Sequence, residues 1–397
     1  MNVTYIARFF WPTIGGGGIV TTELAKRLCN HGCNVTLLVP SYTHEHMRAQ
    51  RAKPVLVDGL TVCYCGPRLS RFPADTLSFI FVLLRAIPIA LRSHVILGQH
   101  HHSCLAALCA AIVSSVTRRP LIIRVDDLVA KPSNNVQRAL AFILGLATSW
   151  ALRHARKVFV AGDELVEKVQ AMYALNEQVA GVSYNGVDTE RFRPTNRSED
   201  LRRTLGSKHI VVFSGVISPD RGVEVLLRAT PIIRVRLPDV KVLVIGDGSD
   251  LQRLKRLANS LDLGKSVEFL GTVDQSLLAN YLASADVGIG PLLATIQTYG
   301  VTPLKVLEYM ASGCVVVTGT DTLSSKLIID GKNGLFAKSD NAADLAKKIL
   351  EVFRNDRLAK KLRENARKTV EEVYEWETVT SQLETSLRLF ALAERST

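Results

Sequence analysis

Residues 284–320, SADVGIGPLLATIQTYGVTPLKVLEYMASGCVVVTGT, constrain the fold most, because they place an apolar strand, a loop, a helix and a second strand in immediate succession. Residues 286–291 read as a short buried strand. Thr302-Pro303 reads as a helix start, with threonine at the N-cap and proline at N1, and residues 314–318 as the next strand. A helix that begins where a strand has just ended presents N–H groups without intrahelical partners and the positive end of its dipole. The turn Pro303-Leu304-Lys305 is therefore a ready phosphate site. Lys305 and Glu308 share one helical face, three residues apart, where they would serve equally well as a plain ion pair on a crossover helix.

Two segments precede this stretch at spacings expected of a doubly wound domain: residues 213–227, FSGVISPDRGVEVLL, and residues 242–248, VLVIGDG. Together the three resemble the family-4 retaining glycosyltransferases of the GT-B architecture, also called glycosyltransferase group 1. In that family a loop written G-R-L-x-x-x-K-G, a strand ending G-x-G, and a helix that begins near P-x-K and carries a glutamate hold a nucleotide-sugar. The matching residues here are Gly215-Val216-Ile217 with Arg221-Gly222, then Gly246-Asp247-Gly248, then Pro303-Leu304-Lys305 with Glu308.

The resemblance implies an α/β chain with two Rossmann-like, doubly wound domains facing a central cleft. Residues 1–195 would bind the acceptor and residues 196–373 the nucleotide-sugar, while residues 374–397 would form a helix crossing back to the first domain. It implies a hexosyltransferase-type enzyme that moves a sugar from a UDP- or GDP-sugar, with retention, to a glycan or lipid-linked acceptor. No cofactor and no metal are expected, the diphosphate being held by the protein's own cations. On matching positions, donor-phosphate contacts fall to Gly15, Gly16, Arg221, Leu304 and Lys305. The ribose contact falls to Glu308, and the nucleobase neighbourhood to Gly246 and Val273.

Four positions depart from the family pattern. Val216 stands where the family usually has arginine, and Arg221 where it has lysine, so one of two phosphate-binding cations is replaced and the other changed. Gly300, eight residues before Glu308, stands where the first of two paired glutamates would lie. Asp126, in the strand and exit loop LIIRVDDL, stands where many relatives carry a histidine beside the transferred sugar. A carboxylate there would accept a hydrogen bond from a sugar hydroxyl or stabilise positive charge at the anomeric carbon, making Asp126 the catalytic candidate; a helix N-cap is the structural alternative.

Elsewhere in the first half, a strand at residues 3–7 leads to Gly15-Gly16-Gly17-Gly18 and a helix over residues 19–30. The four glycines read as a turn of positive φ that brings backbone close to a ligand. Alternating strand-like and helix-like stretches continue through residues 35–40, 55–64, 94–98, 121–125 and 158–161, which argues for a parallel sheet covered on both faces. Gln99-His100-His101-His102-Ser103 follows a strand end. With Gly300 and Thr302, His101 and His102 are cleft-lining candidates; a metal site would need further ligands that the pattern does not supply. Ser183-Tyr184-Asn185-Gly186-Val187-Asp188 resembles the segment with which the family leaves its first domain, and the polar run that follows reads as the linker.

The chain is 397 residues long, the length of two domains, and its seven cysteines show no Cys-x-x-Cys pair, so they read as reduced core residues of a cytoplasmic protein. The strand that begins near the N-terminus leaves no room there for a signal peptide, and no twenty-residue apolar run occurs. The net charge of +12 is uneven, with 21 Lys+Arg against 12 Asp+Glu in residues 1–195. Sparse aromatics and the lack of a nucleic-acid motif argue against nucleic acid as the partner and leave anionic lipid, an acidic acceptor or a merely solvated basic surface as readings of this charge. The apolar stretches at residues 77–91 and 139–152, with Arg85, Arg92, Arg153, Arg156 and Lys157 in or beside them, read either as helices packed on the sheet or as peripheral contact with the inner face of a membrane. Two other functions fit the same motifs: a nucleotide-sugar epimerase of the same architecture, and a non-catalytic subunit that binds nucleotide-sugar or docks on membrane.

Overall fold

The computed structural model of the chain describes residues 1–10, 15–41, 54–57, 59–66, 74–101, 104–127, 135–175, 179–293, 302–320, 322 and 327–393. Two compact units result, one of Met1–Tyr184 with Trp376–Thr397, the other of Asn185–Glu375.

The first unit holds, among the described residues, an eight-stranded sheet of β1 (Asn2–Ile6), β2 (Asn34–Pro40), β3 (Val55–Val57), β4 (Leu60–Cys65), β5 (Val95–His100), β6 (Leu121–Val125), β7 (Lys157–Val160) and β8 (Ala180–Val182). Their order is β3-β4-β2-β1-β5-β6-β7-β8, parallel throughout except for β3, which pairs antiparallel with β4. Strands β5 and β6 are buried along their whole length, as near-continuous apolar strands covered on both faces must be. The covering helices are α1 (Gly16–Asn30), α2 (Ala74–Ala90), α3 (Leu105–Thr117), α4 (Asn135–His154) and α5 (Asp163–Tyr173). From β1 the chain moves outward to β2 on one side, and later to β5 on the other. The topological switch point, where an α/β sheet opens a crevice at its carboxyl edge, therefore lies between β1 and β5.

The second unit repeats this logic with β9 (His209–Ser214), β10 (Val240–Ile245), β11 (Val267–Gly271), β12 (Val287–Ile289), β13 (Val315–Gly319) and β14 (Leu335–Ala337) in the order β11-β10-β9-β12-β13-β14, all parallel. Its switch point lies between β9 and β12. Its helices are α6 (Glu199–Leu205), α7 (Val223–Arg234), α8 (Leu251–Ser260), α9 (Gln275–Ser284), α10 (Leu304–Ser312), α11 (Ala342–Arg354) and α12 (Asp356–Thr369). Successive residues of β9 face opposite ways. Val211 and Phe213 join the core formed with Leu226 and Ile349, while Ile210 and Val212 join the core formed with Leu282, Val306 and Met310. Asn341 and Asn355 cap α11 and α12, accepting from the N–H of Asp344 at 2.9 Å and of Leu358 at 3.0 Å.

The last helix, α13 (Trp376–Ala393), belongs to the first unit and packs on α1. There His31, at the end of α1, lies between Glu377 and Glu384, with its Nδ1 2.6 Å from Glu384 Oε2, and its carbonyl accepts from Arg388 at 3.0 Å. The units divide at Tyr184/Asn185 rather than after residue 195, because residues 185–195 are bound into the second unit. Phe192 is buried in its core, and Arg367 donates to the carbonyls of Phe192 at 2.8 Å and Thr189 at 3.1 Å. Polarity marked residues 192–207 as linker, yet Val187 and Phe192 are buried in the second unit's core and the carbonyls of Thr189 and Phe192 are held by Arg367. The unit also ends where it begins: Val187 N donates to Tyr374 O at 2.8 Å, and Val187 bridges to Glu375.

Candidate functional site

In the second unit the site grows from the exits of three neighbouring strands. After β9 the chain turns at Gly215, φ +122°, and runs through a short 3-10 turn, Pro219–Arg221, into α7. That loop is laced to the exit of β10, with Gly215 N donating to Ile245 O and Ile217 N to Asp247 O, each at 2.9 Å. The backbones pass so closely that a Cβ on Gly246 would lie 2.0 Å from Gly215 O, and one on Gly248 2.1 Å from Ile217 O. Both glycines sit at positive φ, +134° and +159°. The G-x-G is thus a steric requirement of the neighbouring loop. Gly246 N continues the lacing to Gly271 O at 2.7 Å, where Val273 packs partly buried on the core.

Across the switch point, β12 leads toward α10. The helix begins one residue later than the sequence predicts, with Pro303 rather than Thr302 at the N-cap, φ −73° and ψ 119°. Thr302 is instead fixed by its carbonyl, which accepts from Asn185 Nδ2 at 2.9 Å. This start leaves the first N–H groups of α10, those of Leu304 and Lys305, at the helix's positive end. The loop after β9 meets this side directly: a Cβ on Gly222 would lie 2.8 Å from that of Leu292, and one on Gly215 would lie 3.1 Å from Lys305 Nζ. Lys305 Nζ stands 3.8 Å from the centroid of the Phe213 ring. Burial, and the nearby charge of Arg221, push the Lys305 ammonium down to about 7. Burial raises Glu308 to about 7 against the pull of Lys305 and Arg191. Arg221 is partly exposed and its Nε lies 3.3 Å from Asp220 Oδ2, while Val216 projects to solvent. Two cations beside a helix N-terminus raise each other's energy, and a phosphate dianion between them relieves it.

Sequence reasoning missed the residues that hold this arrangement. Tyr309 Oη accepts from Ser214 N at 2.7 Å and contacts Ser214 Oγ at 3.1 Å, tying α10 to the end of β9. Gly288 makes room for it, since a Cβ there would lie 2.5 Å from the ring. A glycine inside a short strand was the available signal. Asn185 reads as a turn residue in the sequence, yet it positions the start of α10.

In the first unit, only Gly15 of the four glycines has positive φ, at +149°, and α1 starts at Gly16, so the expected four-residue turn is one residue long. The reason lies in packing: a Cβ on Gly17 would lie 3.0 Å from His101 Nε2 and 3.3 Å from Phe9 Cδ2. His101 packs edge-on against Phe9, with ring centroids 4.9 Å apart, and its Nε2 lies 3.1 Å from Asp127 Oδ2. Asp126 is buried, and both of its oxygens have partners: Oδ2 accepts from Gln99 Nε2, and Oδ1 pairs with Arg124. Gln99 Oε1 in turn accepts from Thr21 at 2.8 Å, and Arg124 Nη2 donates to Ser183 O at 3.1 Å. Strand β5 extends two residues beyond the predicted stretch, which brings Gln99 into this chain of contacts. Burial lowers the Arg124 guanidinium to about 10 and raises Tyr5 to about 12. Asp126 thus offers a substrate only the lone pairs that two donors leave. His102 and Gly300 lie outside the described residues. Among the described residues no three His, Cys, Asp or Glu side chains meet as metal ligands, and no helix is long and apolar enough to cross a membrane.

Comparison with known proteins gives this geometry its family. Residues 14–191 match the family model described as Glycosyltransferase Family 4, and residues 198–369 the model described as Glycosyl transferases group 1. The chain belongs to the group 1 glycosyltransferases. Gly215, Arg221, Gly246, Lys305 and Glu308 lie in the second matched region, Gly15, His101 and Asp126 in the first. Among curated relatives of this group 1 chain, a phosphatidyl-myo-inositol mannosyltransferase of Mycolicibacterium smegmatis is 29% identical over 224 residues, 56% of this chain and 55% of that protein. A GDP-mannose-dependent alpha-(1-6)-phosphatidylinositol monomannoside mannosyltransferase of the same organism is 28% identical over 198 residues, 49% of this chain and 52% of that one. The matches therefore span about half the length of these relatives. Among solved structures, Anabaena HepE in complex with UDP superposes with a TM-score of 0.74 at 19% identity, covering 98% of this chain and all of that one. A glycosyltransferase from Rickettsia africae superposes at 0.76 and 17%, covering 98% of each chain. These likenesses establish the GT-B fold, with its two Rossmann-like units.

Proposed function

We propose that the protein transfers a hexose from a nucleoside-diphosphate sugar to a glycan or lipid-linked acceptor, with retention at the anomeric carbon, at the cytoplasmic side of a membrane. The observation that carries this reading is the approach of Lys305 to Gly215 at the start of α10, where two loops and a helix N-terminus converge on one point. In this reading Lys305, Arg221 and the first N–H groups of α10 bind the diphosphate and stabilise the charge it gains on leaving. Glu308 binds the ribose, and the exits of β10 and β11, with Gly246 and Val273, border the nucleobase. Asp126, held by Arg124 and Gln99, orients the sugar. The names of the relatives, mannosyltransferases and a protein solved with UDP, support a nucleotide-sugar donor and a glycolipid acceptor.

Calorimetric titration with UDP, GDP, UDP-glucose and GDP-mannose tests donor binding. Incubation of the turned-over donor with a short-chain lipid acceptor, followed by anomeric proton NMR of the product, tests transfer and its stereochemistry. An inverted product overturns retention. A new nucleotide-sugar isomer without acceptor makes the protein an epimerase, and binding without turnover makes it a binding subunit.

A further inference from the structure

The helices α2, α3 and α4 of the first unit lie side by side, α3 in the middle. The outward surface of this layer is apolar. On α2, Leu77, Ile80, Phe81, Leu84 and, just beyond its end, Leu91 are between 46% and 64% exposed. They recur every three, four or seven residues, a stripe along one side of the helix, while Phe79, Val82, Ala86 and Ala90 fill the other side and are buried. On α4, Phe142, Ile143, Leu146 and Trp150 repeat the pattern at 45–68% exposure. A cavity of about 320 Å³, lined by Cys65, Gly66, Phe81, Leu84 and Arg85, opens beside the α2 stripe. Its walls are apolar and its one charge is a guanidinium.

The charge of the same region is one-sided. Residues 74–157 contain ten Lys and Arg against three acids, Asp75, Asp126 and Asp127; Asp126 is buried against Arg124 and Asp127 pairs with His101. Arg92, Arg118, Arg153 and Arg156 are exposed at or just past the C-terminal ends of the three helices. Cations at helix C-termini are ordinary complements of the dipole. That explanation does not account for two exposed apolar stripes on the same layer, which cost solubility unless something covers them.

We propose that the α2–α3–α4 layer docks on an anionic lipid surface, its apolar side chains entering the interface and its arginines pairing with headgroup phosphates. Apolar stripes flanked by arginine and carrying a tryptophan match a lipid interface, with hydrocarbon below and negative charge at the rim. A second protein copy would meet the same excess of positive charge on itself. The proposal deepens the reading of a lipid-linked acceptor, because such an acceptor is presented at this kind of surface, but the face itself rests on the first unit alone.

The test is sedimentation of the full chain with vesicles of pure phosphatidylcholine and with vesicles enriched in phosphatidylglycerol, at low and high salt. The wild type is expected to pellet with the anionic vesicles at low salt and to be partly released by salt. The pair Leu84→Ser/Phe142→Ser and the pair Arg92→Glu/Arg118→Glu are each expected to lower the bound fraction by at least about tenfold. Leu389→Ser, equally exposed but on α13, is expected to change nothing. Wild-type failure to bind either vesicle at low salt overturns the proposal, as does unchanged binding of both pairs. Self-association that the apolar pair abolishes would make this face an interface between copies instead. UDP and GDP binding, measured on the same variants, is expected to match wild type. Its absence in all of them would count against the transfer reaction and leave the docking result standing.

Discussion

Lys305 Nζ lies 3.8 Å from the centre of the Phe213 ring, close to the backbone of Gly215. Burial away from water, and next the charge of Arg221, push this ammonium down to about 7, while the aromatic face favours its charged form. Lys305→Ala and Arg221→Ala are each expected to weaken nucleoside-diphosphate binding by about 1.5–3 kcal/mol, the worth of a charge-assisted hydrogen bond. Calorimetry on folded variants measures this, and wild-type affinity in both would remove the phosphate site from this end of α10.

If Lys305 binds the donor phosphate as proposed, donor binding is expected to depend on pH. A bound phosphate favours the charged ammonium and raises its pKa above the free value of about 7, so binding takes up a proton when the experiment is run above that value. Affinity is therefore expected to be full below pH 7 and to decline as pH rises past it. Titration in buffers of differing ionisation enthalpy should show proton uptake that disappears in Lys305→Ala.

Gly246 and Gly264 offer a contrast in backbone tolerance. A methyl group on Gly246 would strike a carbonyl oxygen at 2.0 Å, whereas one on Gly264 meets nothing within 4 Å. Gly246→Ala is expected to destabilise by more than about 1 kcal/mol and Gly264→Ala to stay within about 0.5 kcal/mol of wild type. Urea unfolding measures both, and equal midpoints would contradict the lacing of the two loops.

Asp126 can be assigned by separating stability from turnover. Removing one partner of a buried pair leaves the other charge uncompensated, so Asp126→Ala is expected to cost about 3–5 kcal/mol in the first unit. A variant that unfolds as the wild type does but loses turnover would make Asp126 a reacting group with no structural part.

His31 makes the C-terminal helix sensitive to pH. Burial alone would lower its pKa, but the hydrogen bonds and charges of Glu377 and Glu384 outweigh that and leave it raised, with Arg388 and Arg27 the nearby cations on the same two helices. A raised folded-state pKa gives stability that is complete below the unfolded value of 6.5 and is lost as pH rises through the folded value. The melting temperature is expected to fall across that window in the wild type and to be flatter in His31→Gln.

The sequence made the alternation of strands and helices legible because buried parallel strands are dense in Val, Ile and Leu, and crossover helices carry their own periodicity. It also made legible the glycines and Lys305, whose residue types are scarce for a reason. It could not reveal Tyr309 or Gln99, whose value depends on partners 95 and 27 residues away, Ser214 and Asp126. Nor could it place the division between the units, since residues 185–195 are bound to the second unit by isolated anchors, Val187 and Phe192 in its core and Arg367 on the carbonyls of Thr189 and Phe192, rather than by a periodic pattern. Four adjacent glycines pointed to a loop, and the structure uses three of them as the start of α1, with the His101 imidazole occupying the space a side chain on Gly17 would fill.

The meeting of Val187 with Tyr374 and Glu375 has a consequence for how such a chain can be rebuilt. A body whose entry and exit lie side by side is an insert, and inserts are exchangeable. Residues 185–375 should survive excision as a free-standing protein or replacement by the corresponding piece of a relative. The remaining segments, 1–184 and 376–397, can make their own fold only if the two parts of the chain find each other, so a shared linker, or co-expression of the last helix, becomes the condition for studying them apart.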